Sequence, residues 1–479
     1  MQYMGSKSKN KVKVRFIGKN ATEVTGSCVL VETENKKILL ECGLAQGETT
    51  LLKKYQANSK KFDFKPKTID YLFVFHLHLD HIGLIGKLIK EGFRGRIIAP
   101  KGTKSFYESI GLDSAYLMKK DADDLTNKFK KSFEPIFEEN HVKIALEYWE
   151  EFEVGEKIEL DSELEIRFLN SGHIINACQG ELWVKNNNRT VKIGITSDLG
   201  NIKLQQYYVN NFEPIEKANL LIGECTYSDK NRIVTKKNRL KDMEKMESVI
   251  KQTCVENNGK VLIPSFALQR TQAIITYLYD IFGADENFNV PIYVDSPLAI
   301  KNCNLFLEEL KGEQLEKFQE VMSWKNLYML PDFTDTKEII ERKESCVFIS
   351  CSGMLVGGRS VYNCMKLLPS SKNHILFVGY STEDTLAWKI KQKKTKTVNI
   401  NGKTVPCRCQ ITNLTSFTSH MQRDDLLNYY SSGNFDKVAL VHGEMKNKCE
   451  FGKDLQEEIS KKNKTTRVVV VNKNTEILL

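Results

Sequence analysis

The segment His76-Leu77-His78-Leu79-Asp80-His81 constrains the fold more than any other stretch of the chain. Three of the eight histidines fall within these six residues, with an aspartate between them. The flanks are apolar. Tyr71 to Phe75 reads as a buried strand, and Ile82 to Glu91, closed by Gly92, has helical spacing. A solvated histidine-rich loop does not sit between a core strand and a core helix. Alternate residues of an extended segment point the same way, so His76 and His78 share one direction. The turn that follows aims Asp80 and His81 at a second point nearby. Nitrogen and oxygen donors at this density suit two metal ions a few ångströms apart, zinc first and manganese second.

One short motif cannot complete two metal shells. Three further polar groups each follow an apparent strand: His173 after Phe168-Leu169-Asn170-Ser171-Gly172, Asp198 after Ile193-Gly194-Ile195-Thr196-Ser197, and His442 after Val438-Ala439-Leu440-Val441. One such group after each of three strands is the layout of an active site at a sheet edge. His141 and His374 lie outside these patterns and are expected to be dispensable for metal.

The chain has 479 residues, 41% hydrophobic and 27% charged. That composition excludes a disordered chain and allows about three domains, or two with one of them large. No apolar run approaches the ~20 residues of a spanning helix. The basic N-terminus (Lys7, Lys9, Lys11, Lys13) has no apolar segment of signal length behind it, so a cytoplasmic location is expected. Twelve cysteines form no framework, and Cys407 and Cys409 read as ordinary strand thiols. The net charge of +9 tolerates a polyanionic partner without demanding one.

The order of elements is that of a layered α/β protein. Lys13–Ile17, Ser27–Glu32, Lys37–Glu41, Thr68–Phe75, Ile97–Ala99, Leu164–Leu169 and Thr190–Thr196 read as strands. Lys104 to about Trp149 is helical in period. Near residue 229 the composition shifts. A helix over Asn238–Val255, with Leu240, Met243, Met246, Ile250 and Cys254 on one side, precedes strands at Val261–Ile263, Pro291–Val294, Ser345–Ile349 and His374–Val378. A helix over Thr271–Phe282 lies between the first two of those strands. This alternation predicts a parallel sheet. Asn401-Gly402 marks a hairpin. The lysine run Lys389–Lys396 reads first as a solvated strand edge. The tail, with Lys437–Val441, a helix near Asn447–Lys461 and Arg467–Val471, returns to strand character. Expected units are 1–228, 229–415 and 416–479.

These motifs in this order resemble the metallo-β-lactamase fold hydrolases, and within them the β-CASP nucleases. Glu224 in Gly223-Glu224-Cys225-Thr226-Tyr227 is similar to that group's motif A, His420 in Ser416-Phe417-Thr418-Ser419-His420 to motif B, and His442 in Leu440-Val441-His442-Gly443-Glu444 to motif C. Pro264 to Gln272, Asp295 to Ala299 and Ser352 to Gly358 resemble segments of the β-CASP domain. The likeness spans about Lys13 to Leu479, and the nearest relatives resemble prokaryotic homologues of the pre-mRNA 3′-end cleavage endonuclease. It implies an αββα sandwich built from both chain ends, with an α/β β-CASP domain inserted as a lid. It further implies a ribonuclease that leaves a 5′-phosphate.

By this resemblance His76, His78 and His173 hold one zinc ion, Asp80, His81 and His442 the other, and Asp198 bridges them. Asp80, Glu224 and His420 are the expected catalytic residues, His420 as proton donor oriented by Glu224. RNA is the expected partner, because DNA-processing members tend to carry valine where His442 stands. Arg270, Ser350, Ser352 and Gly353 are candidates to hold substrate phosphates. Endo- and exonucleolytic modes both stay open, as do monomer and homodimer. A small-molecule hydrolase of the same fold, a DNA nuclease and a non-catalytic RNA scaffold are the alternatives. Two positions depart from the family: Glu41 stands in an Asp-Cys-Gly element, and Asp384 replaces a glycine.

Overall fold

The computed structural model describes residues 11–479 except 49, 187–188, 205, 232 and 394; Lys7, Lys9 and Lys394 therefore lie outside the described residues. Two seven-stranded sheets and one six-stranded sheet organise the chain. The first sheet runs in the order Glu476–Leu478, Lys13–Phe16, Val29–Glu32, Lys37–Leu40, Tyr71–Phe73, Arg96–Pro100, Trp149–Phe152. The second runs Arg467–Val470, Asn434–Val441, Lys217–Glu224, Arg189–Ile195, Cys178–Asn186, Leu164–Asn170, Lys157–Asp161.

The central strand explains why the two sheets stack. Tyr71, Phe73 and Phe75 point to one side and pack with Phe16, Phe168, Ile193, Ile222 and Val441 between the sheets. Leu72, Val74 and Leu77 point to the other side and pack against helix residues such as Leu88, Phe106 and Ile110. A strand buried on both faces reads as a continuous apolar run, because neither parity can be polar. On the second sheet Leu221, Val438 and Leu440 face Leu426, Phe451 and Leu455 of two covering helices, Arg423–Ser432 and Met445–Lys461. The layers are therefore helix, sheet, sheet, helix.

The third sheet runs Leu327–Met329, Ile292–Asp295, Cys346–Ser350, Lys260–Pro264, His374–Phe377, Gln410–Asn413, with every pairing parallel. It is inserted between neighbouring strands of the second sheet. The chain leaves after Glu224 and returns to pair Val441 beside that same Glu224. The fold is α/β throughout.

Several expected elements shift for local reasons. The strand at Thr68–Phe75 contracts to Tyr71–Phe73, since Pro66–Thr68 forms a 3-10 turn. The helix after it divides into Leu79–Ile82 and Ile85–Lys90, so Asp80 and His81 occupy its first turn. The long helical stretch breaks into Lys104–Phe129 and Glu139–Glu147, and Trp149 opens an edge strand instead. Lys236–Ile250 ends in a wider turn at Lys251–Glu256 and buries Met246, Val249 and Ile250. Leu240, expected on that face, is 61% exposed, because six residues at 100° each carry it roughly 120° round from Met246. The Asn401-Gly402 hairpin forms, with both residues at positive φ and Ile400 opposite Lys403. Cys407 and Cys409 precede the strand Gln410–Asn413. They are free thiols, as are the other ten cysteines.

Candidate metal centre

The strand-end residues converge on one edge of the sandwich, under the inserted domain. His76, His78, His173 and Asp198 each offer a ligand atom within 4.8 Å of the others, and Asp80, His81 and His442 form an adjoining group. Asp198 lies between them. Its Oδ2 is 3.4 Å from His76 Nε2 and 3.5 Å from His173 Nε2, and its Oδ1 is 3.5 Å from His81 Nε2 and 3.3 Å from His442 Nδ1. His442 Nε2 is 3.3 Å from Asp80 Oδ2. Two backbone turns of the left-handed hand, at Ser197 (φ 47°) and His442 (φ 51°), aim these side chains off the strand ends.

A layer of hydrogen bonds fixes the imidazoles. His81 Nδ1 donates to Glu41 Oε2 at 2.6 Å, and Ser197 Oγ donates to Glu41 Oε1 at 2.5 Å while accepting from His76 Nδ1 at 2.9 Å. Glu41 thus serves one histidine directly and the other through Ser197, and the longer side chain at this departure reaches both. Thr226 Oγ1 contacts His442 Nδ1 at 2.9 Å. With Nδ1 committed on His76 and His81, Nε2 is in each the ring nitrogen that faces the cluster. Ser197 and Thr226 escaped the sequence reading, since a hydroxyl at a strand end has no distinctive spacing; their adjacency to Asp198 and Glu224 was the available signal.

The donor set fits divalent cations. His76 Nε2, His81 Nε2 and Asp198 Oδ1 are buried without a hydrogen-bond partner, which is costly unless another group binds there. Burial works to raise the carboxyls of Asp198 and Asp80, but the surrounding imidazoles win and hold both well below the usual range. Burial also opposes charge on His76 and His442, yet Asp198 above all raises them to about 10 and about 9. His78 and His173 go the other way. Burial, joined by neighbouring imidazoles, lowers His78 to about 3 and His173 well below its ordinary value. His78 and His173 are thereby neutral beside ionised carboxylates, the forms that metal binding requires, whereas His76 and His442 must release a proton when an ion binds.

Glu224 and His420 stand next to this cluster. Glu224 Oε1 is 3.7 Å from His420 Nδ1, and the carboxylate is held by the backbone N–H groups of Leu199 (3.3 Å) and Thr226 (2.6 Å). The His420 ring centroid is 4.4 Å from that of His173.

The chain's similarity to known proteins accords with this geometry. Residues 21–156 match the metallo-beta-lactamase superfamily, 271–390 the Beta-Casp domain, and 404–468 the Zn-dependent metallo-hydrolase RNA specificity domain. The chain belongs to the β-CASP group of the metallo-β-lactamase hydrolases. It is 29% identical over 439 residues to Ribonuclease TTHA0252 of Thermus thermophilus, covering 90% of this chain and 94% of that one. It is 27% identical over 457 residues to the Transcription termination factor FttA of Methanocaldococcus jannaschii, covering 91% of this chain and 68% of that one. A crystal structure of a protein of unknown function from Enterococcus faecalis shares the fold, with a TM-score of 0.50 at 12% identity, over 98% of this chain and all of that one.

The β-CASP side of the cleft places the phosphate candidates unequally. Arg270 opens the helix Arg270–Phe282 and is half-buried. Gly353 is half-exposed against Phe266. The Ser352 hydroxyl bonds within its own loop, donating to the Gly357 carbonyl and accepting from Val356 N–H. Ser350 is fully buried and donates to Asp295 Oδ2 at 3.2 Å, so its hydroxyl is spent inside the domain and does not reach a phosphate. Asp295 also accepts from Thr336 (2.7 Å), Arg359 (2.9 Å) and Asn363 (2.6 Å). The β-CASP domain meets the sandwich where the Tyr380 hydroxyl donates to Glu444 at 3.3 Å. Asp384 nearby has φ 66°, a conformation that suits glycine and that aspartate tolerates.

His141 accepts the Glu138 N–H as part of a helix cap, and His374 Nε2 contacts Thr412 Oγ1 at 2.9 Å. Neither belongs to a ligand group among the described residues. No helix of the described residues is long and apolar enough to cross a membrane.

Proposed function

We propose that the chain is a zinc-dependent ribonuclease that hydrolyses RNA phosphodiester bonds with two metal ions and leaves a 5′-phosphate, by endonucleolytic cleavage, 5′-exonucleolytic cleavage or both. The observation that carries this reading is the pair of adjoining ligand groups, with Asp198 in the first and within 3.5 Å of His81 and His442 of the second, and the Glu224–His420 pair beside them. The name of the Thermus relative supports RNA as substrate, as does the RNA specificity match over 404–468.

In this reading His76, His78 and His173 would hold one ion, Asp80, His81 and His442 the other, and Asp198 would serve both. Two divalent ions held there would supply a lowered pKa for water, from about 15.7 towards neutrality, and an offset for the charge on the phosphate. Glu41, through His81 and Ser197, keeps the imidazoles in register. The leaving 3′-oxygen needs a proton, and an imidazolium is the natural donor near neutral pH. His420 Nδ1 faces the Glu224 carboxylate, so Nε2 is the atom that delivers it. On the lid side, Arg270 and the backbone at Gly353 are the groups assigned in this reading to a substrate phosphate.

The test is elemental analysis of protein purified without chelators, followed by incubation with labelled RNA, labelled DNA and a thioester. About two zinc ions per chain and cleavage confined to RNA are expected. One ion or none would remove the basis of the mechanism, and thioester hydrolysis without RNA cleavage would favour the small-molecule reading.

A further inference from the structure

Gln269 is held in a backbone conformation that side-chain-bearing residues avoid. Its φ is 68° and ψ −51°, and the Arg270 N–H donates back to the Leu268 carbonyl at 2.8 Å. That i to i+2 bond with positive φ is the rarer, strained hand of the γ-turn. Glycine would adopt it at little cost. A strained residue persists only where its surroundings over-determine it, and such residues cluster at functional sites.

The side chain accounts for its presence. Gln269 is 6% exposed and crosses from the β-CASP domain into the sandwich. Its Oε1 accepts from Ile175 N–H at 2.9 Å, and its Nε2 donates to the Tyr207 carbonyl at 2.7 Å. Each contact lies in a segment that carries a site histidine or supports one. Ile175 is two residues beyond His173. Tyr207 follows Gln206, whose amide donates to the Ser419 carbonyl at 3.1 Å, and His420 is the next residue. On its own backbone Gln269 precedes Arg270, the first residue of its helix.

We propose that Gln269 is a positioning residue: its amide clamps the inserted domain to the loops of His173 and His420, so that seating the lid and setting those two histidines are one event. The proposal rests on the ribonuclease reading for its kinetic arm only. An amide is the side chain that suits the site, since one end must accept and the other donate. Glutamate keeps the acceptor for Ile175 but sets a second oxygen against the Tyr207 carbonyl. Glycine drops both contacts and relieves the turn.

The experiment compares Gln269→Gly and Gln269→Glu with the wild type. Residue-resolved hydrogen exchange reads the Ile175 amide directly, without reference to any reaction. In Gln269→Gly that amide should lose its protection while the melting temperature holds or rises. Because the clamp sets the geometry of reacting groups, kcat on RNA should fall about 10- to 100-fold with KM moving less than about twofold. Gln269→Glu should be slower still, an order that relief of backbone strain alone cannot produce. Unchanged protection at Ile175 in Gln269→Gly would overturn the clamp. Wild-type kcat in both variants would overturn its role in positioning. Should the wild type cleave no RNA, the ribonuclease reading falls; the same kcat comparison is then made on bis-p-nitrophenyl phosphate, and equal rates there overturn the positioning role.

Discussion

Two aspartates, one in each domain, follow or end a strand in nearly complete burial, and they differ in how their oxygens are met. Asp198 is 2% exposed and Asp295 0%. Around Asp295, Thr336, Arg359, Asn363 and Ser350 all donate, and both carboxylate oxygens are satisfied. Around Asp198 four imidazole nitrogens approach to 3.3–3.5 Å, yet Oδ1 has no hydrogen-bond partner. Burial of charge is costly unless it is compensated. A cluster that closes its own hydrogen bonds is a structural lock, and one that leaves donors and acceptors aimed at a common space is built for a ligand.

Substitutions can break this contrast. The largest effect belongs to Asp198→Ala, which removes the group shared by both ligand sets. Its zinc content should fall, and its rates on RNA and on bis-p-nitrophenyl phosphate should drop together by at least about 10⁴-fold, beyond what a single acid–base group supplies. Retention of both ions would show that Asp198 is not the bridge. Next comes His420→Ala, expected to lower RNA cleavage by about 10²- to 10⁴-fold with both metals still bound. The loss should shrink on the nitrophenyl ester, whose leaving group needs no proton. Equal losses on the two substrates would instead assign His420 to lid closure.

Asp295→Ala sharpens the comparison from the other side. It leaves the partly buried Arg359 without its carboxylate partner, and breaking a buried pair costs about 3–5 kcal/mol. Urea unfolding should therefore shift while zinc content stays at the wild-type level; loss of zinc would place the two clusters in one functional unit. The smallest effect is one of pH. Burial, with Lys245 and Lys393 nearby, pushes His374 down to about 4 in the fold. Unfolded chains then bind more protons than folded ones between about 6.5 and 4, so stability from this residue is full above 6.5 and lost as pH falls towards 4. The urea midpoint at pH 5 relative to pH 7 reads this slope. His374→Gln should flatten it, and an unaltered slope would remove His374 as the cause.

What could be read from the sequence follows the same division. Asp198 and His173 were legible because each ends an apolar run at a point where a bare polar residue has no packing reason to be. The apolar run Tyr71 to Phe75 was legible as a buried strand, and the fold shows that both of its faces are covered. Ser350 misled, because its place after a strand resembles a phosphate loop. Only the fold brings Asp295, fifty-five positions earlier, under its hydroxyl. Leu240 misled because about a third of a turn of error in helix phase exchanges core for solvent. Gln269 was visible as a letter within Pro264–Gln272, but its strain is a property of φ and ψ.

The interleaving of the chain also sets when activity can begin. A chain leaving the ribosome presents Lys260 to Asn413 as one uninterrupted stretch, so the lid sheet can close on itself early, as contiguous domains do during synthesis. The sandwich beneath it cannot. Its second sheet waits for Asn434–Val441, which His442 directly follows, and its first for Glu476–Leu478 to zip against Lys13–Phe16. The ligand set is thus finished after the roof that covers it. A nascent chain that stalls anywhere before His442 lacks one of the seven candidate ligands, so the ligand set is completed only after the inserted domain has been made.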